Sequence, residues 1–169
     1  MSITREWLES RFVGLDDARQ DTRECMGESY GVCTDGKAVV GVRGVSLASV
    51  GKFGGLASIT GDAPQGESCS LAALREWCGE DDYIVKNTRG DHVRGAARPG
   101  GVIGMAPDMC MNRALLRHVL PNGDDAVLVS VLPSMVRVFG DGWFAVAMGM
   151  MELGDGPALD LRNLEARAR

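Results

Sequence analysis

Few residues in this sequence could carry chemistry. Two histidines, His92 and His118, stand far apart, and no His-Glu-x-x-His element brings a second imidazole to either. The five cysteines are Cys25, Cys33, Cys69, Cys78 and Cys110, an odd number at long spacings. Zinc sites use closely spaced Cys pairs, so buried structural thiols are the better reading than a metal shared by Cys69 or Cys78 with His92. Ser, His and Asp all occur, but no Gly-x-Ser-x-Gly elbow presents a nucleophile. Lys52 after Gly51 invites a phosphate loop. Ser46 stands where that motif needs its first Gly, and Phe53 stands where it needs Ser or Thr, which rules it out. Asp81-Asp82 and Asp124-Asp125 could attract a hard cation, yet adjacent carboxylates of this kind are better read as solvated loops. Arg89-Gly90-Asp91 matches an adhesion tripeptide and is read as coincidence. An active site built from His92 and its polar loop ranks last. The chain is therefore expected not to be an enzyme, with no catalytic residue, metal or cofactor.

Arg75, Arg113 and Arg117 form the more informative set. Each falls on the expected polar side of a short helix whose other side is apolar. Two such helices side by side would present a basic surface that touches phosphates without reading bases. The plainer alternative is an ordinary solvated helix face. Net charge is −5 and the pI is about 5.0, so no global basic field exists and any nucleic-acid contact must be local.

The elements that would position these residues can be read in order. Ser2 to Phe12 predicts a helix, capped by Ser2 or Thr4, with Ile3, Trp7, Leu8 and Phe12 on one stripe and Gly14 as its stop. Leu15 to Thr22 is acidic and polar and reads as a loop or a weak helical turn. Within Arg23 to Gly44, Tyr30 to Cys33 and Ala38 to Val42 flank Thr34-Asp35-Gly36-Lys37, a strong hairpin signal. Val39, Val40 and Val42 alternate imperfectly, so their faces stay open. Val45 to Gln65 is rich in glycine and reads either as a mobile loop or as a short strand or helix interrupted by glycines. Asp62 to Gly66 is turn-like and divides the chain into halves 1–66 and 67–153.

Ser68 or Ser70 caps a second helix, Leu71 to Cys78, ended by Gly79. Tyr83 to Lys86 and Val102 to Met105 are short strand candidates, and the polar stretch 87–101 between them reads as an exposed, mobile loop. Asp108 caps a third helix with Met111, Leu115, Leu116 and Val119 on its apolar face, ended by Pro121-Asn122-Gly123. Three strands follow: Ala126 to Leu132, Met135 to Phe139 and Trp143 to Met148. Residues 154–169 form a tail, with Leu159 to Ala168 as a terminal helix or a frayed end. The helix starts TREWLESRF, SLAALREWC and NRALLRHVL share a cadence, a weak hint of an internal repeat, although short amphipathic helices give that cadence easily and chance is the better explanation.

A length of 169 residues fits one domain, with 23 Gly and few aromatics pointing to a turn-rich α+β fold. The charged opening MSITREWLESRF lacks a signal-peptide run, and no stretch approaches a membrane-spanning length. With its odd, widely spaced cysteines, the chain is expected to be reduced and cytoplasmic, without membrane partners.

The stretch Asp108 to Leu153 resembles the closing segment of a bacterial DNA polymerase sliding clamp domain. The matching residues are Asn112, Leu116, Leu120, Gly123-Asp124, Val127 to Val131, Val136 to Phe139 and Ala147-Met148-Gly149-Met150. Upstream, Val32 to Val39 is similar to the family's Thr-Asp-Gly hairpin, and Ser70 to Leu74 to the start of its mid-domain helix. Gly149 stands where the family has Pro, and Lys37-Ala38 replaces its His-Arg pair. The resemblance is to the shortened, diverged forms found in bacteriophages and mobile elements. It implies a single clamp-like domain over 1–153, with short helices packed on antiparallel sheets. It further implies that Arg75, Arg113 and Arg117 face double-stranded DNA. It implies too that Met148 and Met150 lie in a partner-binding segment, with replication proteins as partners and a homo-oligomer as the assembly. Two functional expectations follow. One is a non-enzymatic DNA-replication accessory or docking factor. The other is a phage-type effector that binds a host protein without binding DNA.

Overall fold

A computed structural model describes residues 3–13, 15, 17–80, 84–86, 92–94, 113–132 and 134–149. Expectations on Met111, Asn112, Met150, Cys110, the Asp108 cap, the Val102 to Met105 strand and the tail lie outside the described residues. The frame is a seven-stranded, wholly antiparallel sheet. Its strands are β1 (Arg19–Cys25), β2 (Glu28–Thr34), β3 (Ala38–Arg43), β4 (Glu67–Ser70), β7 (Ala126–Val131), β8 (Met135–Gly140) and β9 (Trp143–Met148). A separate hairpin pairs β5 (Ile84–Lys86) with β6 (His92–Arg94). The helices are α1 (Arg5–Ser10), α2 (Ala57–Thr60), α3 (Leu71–Cys78) and α4 (Arg113–Val119).

The spatial order is β1-β2-β3-β9-β8-β7-β4. Apart from β4, it reads the same from both ends: α1 leads into the meander β1-β2-β3, and α4 leads into the meander β7-β8-β9. The two meanders meet where β3 pairs with β9, Val40 opposite Ala145. α3 is followed instead by the separate pair β5-β6. Stretches 1–66 and 67–153 both contribute strands to the one sheet.

Local chemistry explains most of the boundaries. Thr4, not Ser2, caps α1 by accepting from Trp7 N at 3.2 Å. Ser70 caps α3 by accepting from Ala73 N at 3.4 Å, and Gly79 at φ 79° ends it. In the β2–β3 hairpin, Asp35 Oδ1 accepts from Lys37 N and Ala38 N, and Gly36 takes φ 86°. The β1–β2 connection places Met26 and Gly27 at φ 51° and 78°, as a two-residue turn between right-twisted strands requires.

Both faces of the sheet are covered, which accounts for the imperfect alternation of β3. Ala38, Val40 and Val42 face the layer formed by α1, α3 and α4, together with Val136, Val138, Ala145 and Ala147. Val39 faces the opposite side with Tyr30, Val32, Phe139, Phe144 and Val146. A strand buried on both sides has no polar positions to alternate. Gly41 sits under the Phe144 ring; a Cβ there would lie 2.3 Å from Phe144 Cε1. Phe144 in turn packs on Tyr30, with ring centroids 5.3 Å apart.

The glycine-rich segment after β3 holds a strand-like bridge at Val50 and the short helix α2, with glycines between them. It is a strap that wraps the β1 edge. Leu47 packs on the helix side, Val50 pairs with Gln20 through N→O bonds of 2.9 and 3.1 Å, and Leu56 packs on the opposite side with Phe53 and Ile59. β1 itself overlaps a stretch expected to be loop, because RQDTREC is polar. Its side chains are the fastenings: Thr22 Oγ1 bonds both Leu47 N and Leu47 O, and Gln20 Nε2 donates to Ala48 O. Arg19 donates to Lys52 O and Arg23 to Gly54 O. β6 likewise falls inside the stretch 87–101 expected to be loop. Three residues paired across a short hairpin leave no periodicity for a sequence to display.

Candidate functional site

The helix layer brings Arg75, Arg113 and Arg117 together. α3 and α4 lie side by side, and each supplies a guanidinium to the other's C-terminal end. Arg75 Nη1 donates to Leu120 O at 2.5 Å, with Pro121 O and Arg117 O at 3.3 and 3.4 Å. Arg113 Nη1 donates to Trp77 O at 2.8 Å, and its guanidinium carbon lies 5.6 Å from the Trp77 ring centroid. Arg117 Nη1 reaches Glu80 O at 3.4 Å. The last carbonyls of a helix have no donor within it, and a cation there also meets the negative end of the helix dipole. The three arginines therefore hold the two helices to each other. None lies on a free solvated face; all three are half-buried.

Two arginines that sequence reasoning overlooked, Arg11 and Arg137, do the same work. Arg11 Nη1 donates to His118 O at 3.1 Å, and His118 Nε2 donates back to Arg11 O, locking α1 onto α4. The Phe12 ring meets His118 edge to face at 6.3 Å. On the other side of the sheet, Arg137 donates to Ile59 O and to Ser58 O at 3.1 Å, closing the end of α2. No sequence signal could expose these links, because their partners lie far away along the chain.

Electrostatics follows from this placement. Burial lowers the Arg75 pKa, and the neighbouring Arg117 charge lowers it further. The acceptors are neutral carbonyls, so they orient the guanidinium groups without cancelling their charge. Among the described residues, the ion pairs join Arg5 to Glu9, Arg23 to Asp21, and Arg43 to Glu28 and Asp141, and none involves the three arginines. Cys78 lies beneath them. Its burial pushes the thiol up to about 12, although Arg75, Arg113 and Arg117 all pull the other way. A thiol held neutral in this manner is a packing group and no nucleophile.

The remaining candidates are placed as follows. Cys25 and Cys33 are buried free thiols, and Cys69 is buried as well. Burial pushes Cys25 up to about 11 and Cys33 up to about 12. Among the described residues, no three His, Cys, Asp or Glu side chains gather as a metal-ligand set, and no helix is long and apolar enough to cross a membrane. Met148 ends β9 half-buried, opposite Met135, with its N–H bonded to Lys37 O at 2.8 Å. Its expected companion Met150, and the side chain of His92, lie outside the described residues.

The fold and this layer define a sheet-dominated α+β domain with an arginine-tied helix layer on one face. No protein-family model matches the chain, and no curated protein matches it.

Proposed function

We propose that the chain is a non-enzymatic DNA-replication accessory or docking domain of clamp-like design, whose helix layer faces the phosphates of double-stranded DNA. The observation that carries this reading is the state of charge at Arg75, Arg113 and Arg117. They sit together on adjoining helix ends, bonded to neutral carbonyls and not paired with carboxylates among the described residues. Their field therefore projects from the helix layer of an otherwise acidic protein. The two helix-plus-meander units, joined at β3 and β9, add support for a clamp-like plan.

The test is duplex binding by fluorescence anisotropy across a salt series. Arg117→Glu is the selective variant, because Arg117 makes the single long hydrogen bond to Glu80 O and so matters least to the fold. The reading expects weak, salt-dependent binding that Arg117→Glu weakens and makes less steeply salt-dependent. Every arginine–phosphate pairing taken away reduces the salt slope by about 0.9. Absence of binding at low salt, or a slope unchanged in Arg117→Glu, would sink the DNA reading.

A second reading draws on the same residues. Arg75 already points its Nη1 at three carbonyls, as a structural tie would. If the layer is only structural, the domain is a phage-type effector that docks on a host protein without DNA. A stable complex with a host polymerase or clamp-loader component, and no retention on DNA, would favour it.

A further inference from the structure

The chain has a single Asn-Gly pair, Asn122-Gly123, in the turn between α4 and β7. Asn is a labile residue, and its weak point is the side-chain amide carbon, which the next residue's backbone nitrogen can attack. Glycine is the successor that hinders this least, because it has no Cβ and the widest choice of backbone angles. The structure leaves both reacting groups open here. Asn122 is exposed, and Gly123 lies outside helix and strand at φ 148°. Among the described residues, neither the Asn122 side chain nor the Gly123 N–H makes a hydrogen bond. Asp35-Gly36 is the contrast. There Gly36 N–H donates to Thr34 Oγ1 at 3.0 Å, and Asp35 Oδ1 accepts from Lys37 N and Ala38 N. In that hairpin the nitrogen is occupied and the carboxylate is fixed.

The turn around Asn122 is anchored on either side. Leu120 N donates to Arg117 O at 3.2 Å, and Leu71 N donates to Asp125 O at 2.9 Å. Pro121 O, one residue before Asn122, lies 3.3 Å from Arg75 Nη1. Bond lengths alone then bring any carboxylate on residue 122 within about 10 Å of that guanidinium. That is about one Debye length at moderate salt.

We propose that Asn122-Gly123 is a self-modification site: the Asn deamidates, and the carboxylate it gains lands beside the arginine tie and weakens that layer's pull on phosphate. The Gly123 amide nitrogen loses its proton and attacks Asn122 Cγ. The N–Cγ bond forms, the Cγ–Nδ2 bond breaks, and Nδ2 takes up a proton and leaves as ammonia. Water opens the resulting five-membered succinimide. Addition at Cγ gives aspartate, and addition at the main-chain carbonyl of residue 122 gives isoaspartate, with a methylene added to the backbone. Either way a water is gained, an ammonia is lost and a negative charge appears. The effect on phosphate rests on the DNA reading, whereas the modification does not.

The experiment ages the full chain at mildly alkaline pH beside the free peptide Leu-Pro-Asn-Gly-Asp, and follows residue 122 by peptide mass and isoaspartate methyltransferase labelling. Conversion at residue 122 is expected alongside that of the peptide, slower at mildly acidic pH because the amide nitrogen must lose a proton. The Arg75 side-chain NMR signal should move in the aged chain and in Asn122→Asp, and hold still in aged Asn122→Gln. Both variants alter an exposed side chain and keep the fold. Duplex binding should lose about 0.9 of its salt slope in the aged chain and in Asn122→Asp, the equivalent of one phosphate contact. An Asn122 still intact when the peptide is fully converted would overturn the site. Conversion that leaves the Arg75 signal and the salt slope unchanged would overturn its placement beside the tie. A fresh chain that ignores duplex sinks the DNA reading and the phosphate effect with it, and the mass and Arg75 readouts still decide the modification.

Discussion

Replacing Arg75 by Met keeps the aliphatic stem and removes the guanidinium. That single change separates a solvated helix face from an inward tie. A charge-assisted hydrogen bond of good geometry contributes about 1.5–3 kcal/mol. Arg75 has one such bond, to Leu120 O at 2.5 Å, while the longer approaches to Pro121 O and Arg117 O at 3.3 and 3.4 Å add little. A cation at a helix C-terminus adds about 0.3–1 kcal/mol. Against these gains stand the desolvation of the guanidinium and the repulsion from Arg117, both of which lower the Arg75 pKa. The net expectation is a loss of about 2 kcal/mol. For a domain of this length that is a fall in Tm of about 4–8 °C. Urea unfolding followed by tryptophan fluorescence gives the measurement, with Trp77 on the affected helix as a reporter. Arg75→Lys should fall between the two, since a point charge satisfies fewer of the three carbonyls. A change in Arg75→Met within about 0.5 kcal/mol of wild type would match an ordinary surface substitution, and the tie between α3 and α4 would be refuted.

Two other outcomes are expected. Cys25, Cys33 and Cys78 have thiol pKa values raised by burial to about 11, about 12 and about 12, above an ordinary value of 9.0. The folded chain therefore holds protons that the unfolded chain releases first. Stability should be whole below pH 9 and fall as pH climbs toward 12, and the slope measured by urea titration should flatten in Cys33→Ala. A slope identical in that variant would exclude the thiol as its cause. Gly41→Ala drives a methyl into the Phe144 ring and should destabilise by about 1–3 kcal/mol. The double variant with Phe144→Leu should recover part of that loss in the same assay, and strict additivity would count against the clash.

What the sequence disclosed follows from how local each interaction is. Ser70, Leu71, Leu74 and Gly79 specify α3 within a span of about three turns, and Asp35-Gly36 specifies the hairpin within a single turn, so both are legible. β1 is not, because the strand is defined by what its polar side chains hold. Arg19, Gln20, Thr22 and Arg23 bond a strap that lies 25 to 33 residues further on. β4 hides for a related reason: of Glu67 to Ser70 only Cys69 is buried. Helical spacing is enough to put Arg75, Arg113 and Arg117 into one group, but the direction in which they point is not readable. Their acceptors are backbone carbonyls, which leave no mark on residue type, and they lie 36 to 46 residues away.

The seam between β3 and β9 has a consequence for how the chain is made. Ala38 pairs with Ala147, so the partner of β3 is synthesised roughly a hundred residues later. Until then the run Ala38-Val39-Val40-Gly41-Val42 is an unpaired edge with apolar side chains on both faces. Such an edge is the species most prone to stick to a neighbouring nascent chain. The strap guards β1, on the far side of the first meander, and leaves this inner edge bare. Slow translation between Arg43 and Trp143 should therefore lower the soluble yield, and occupancy by a holdase should peak in that window.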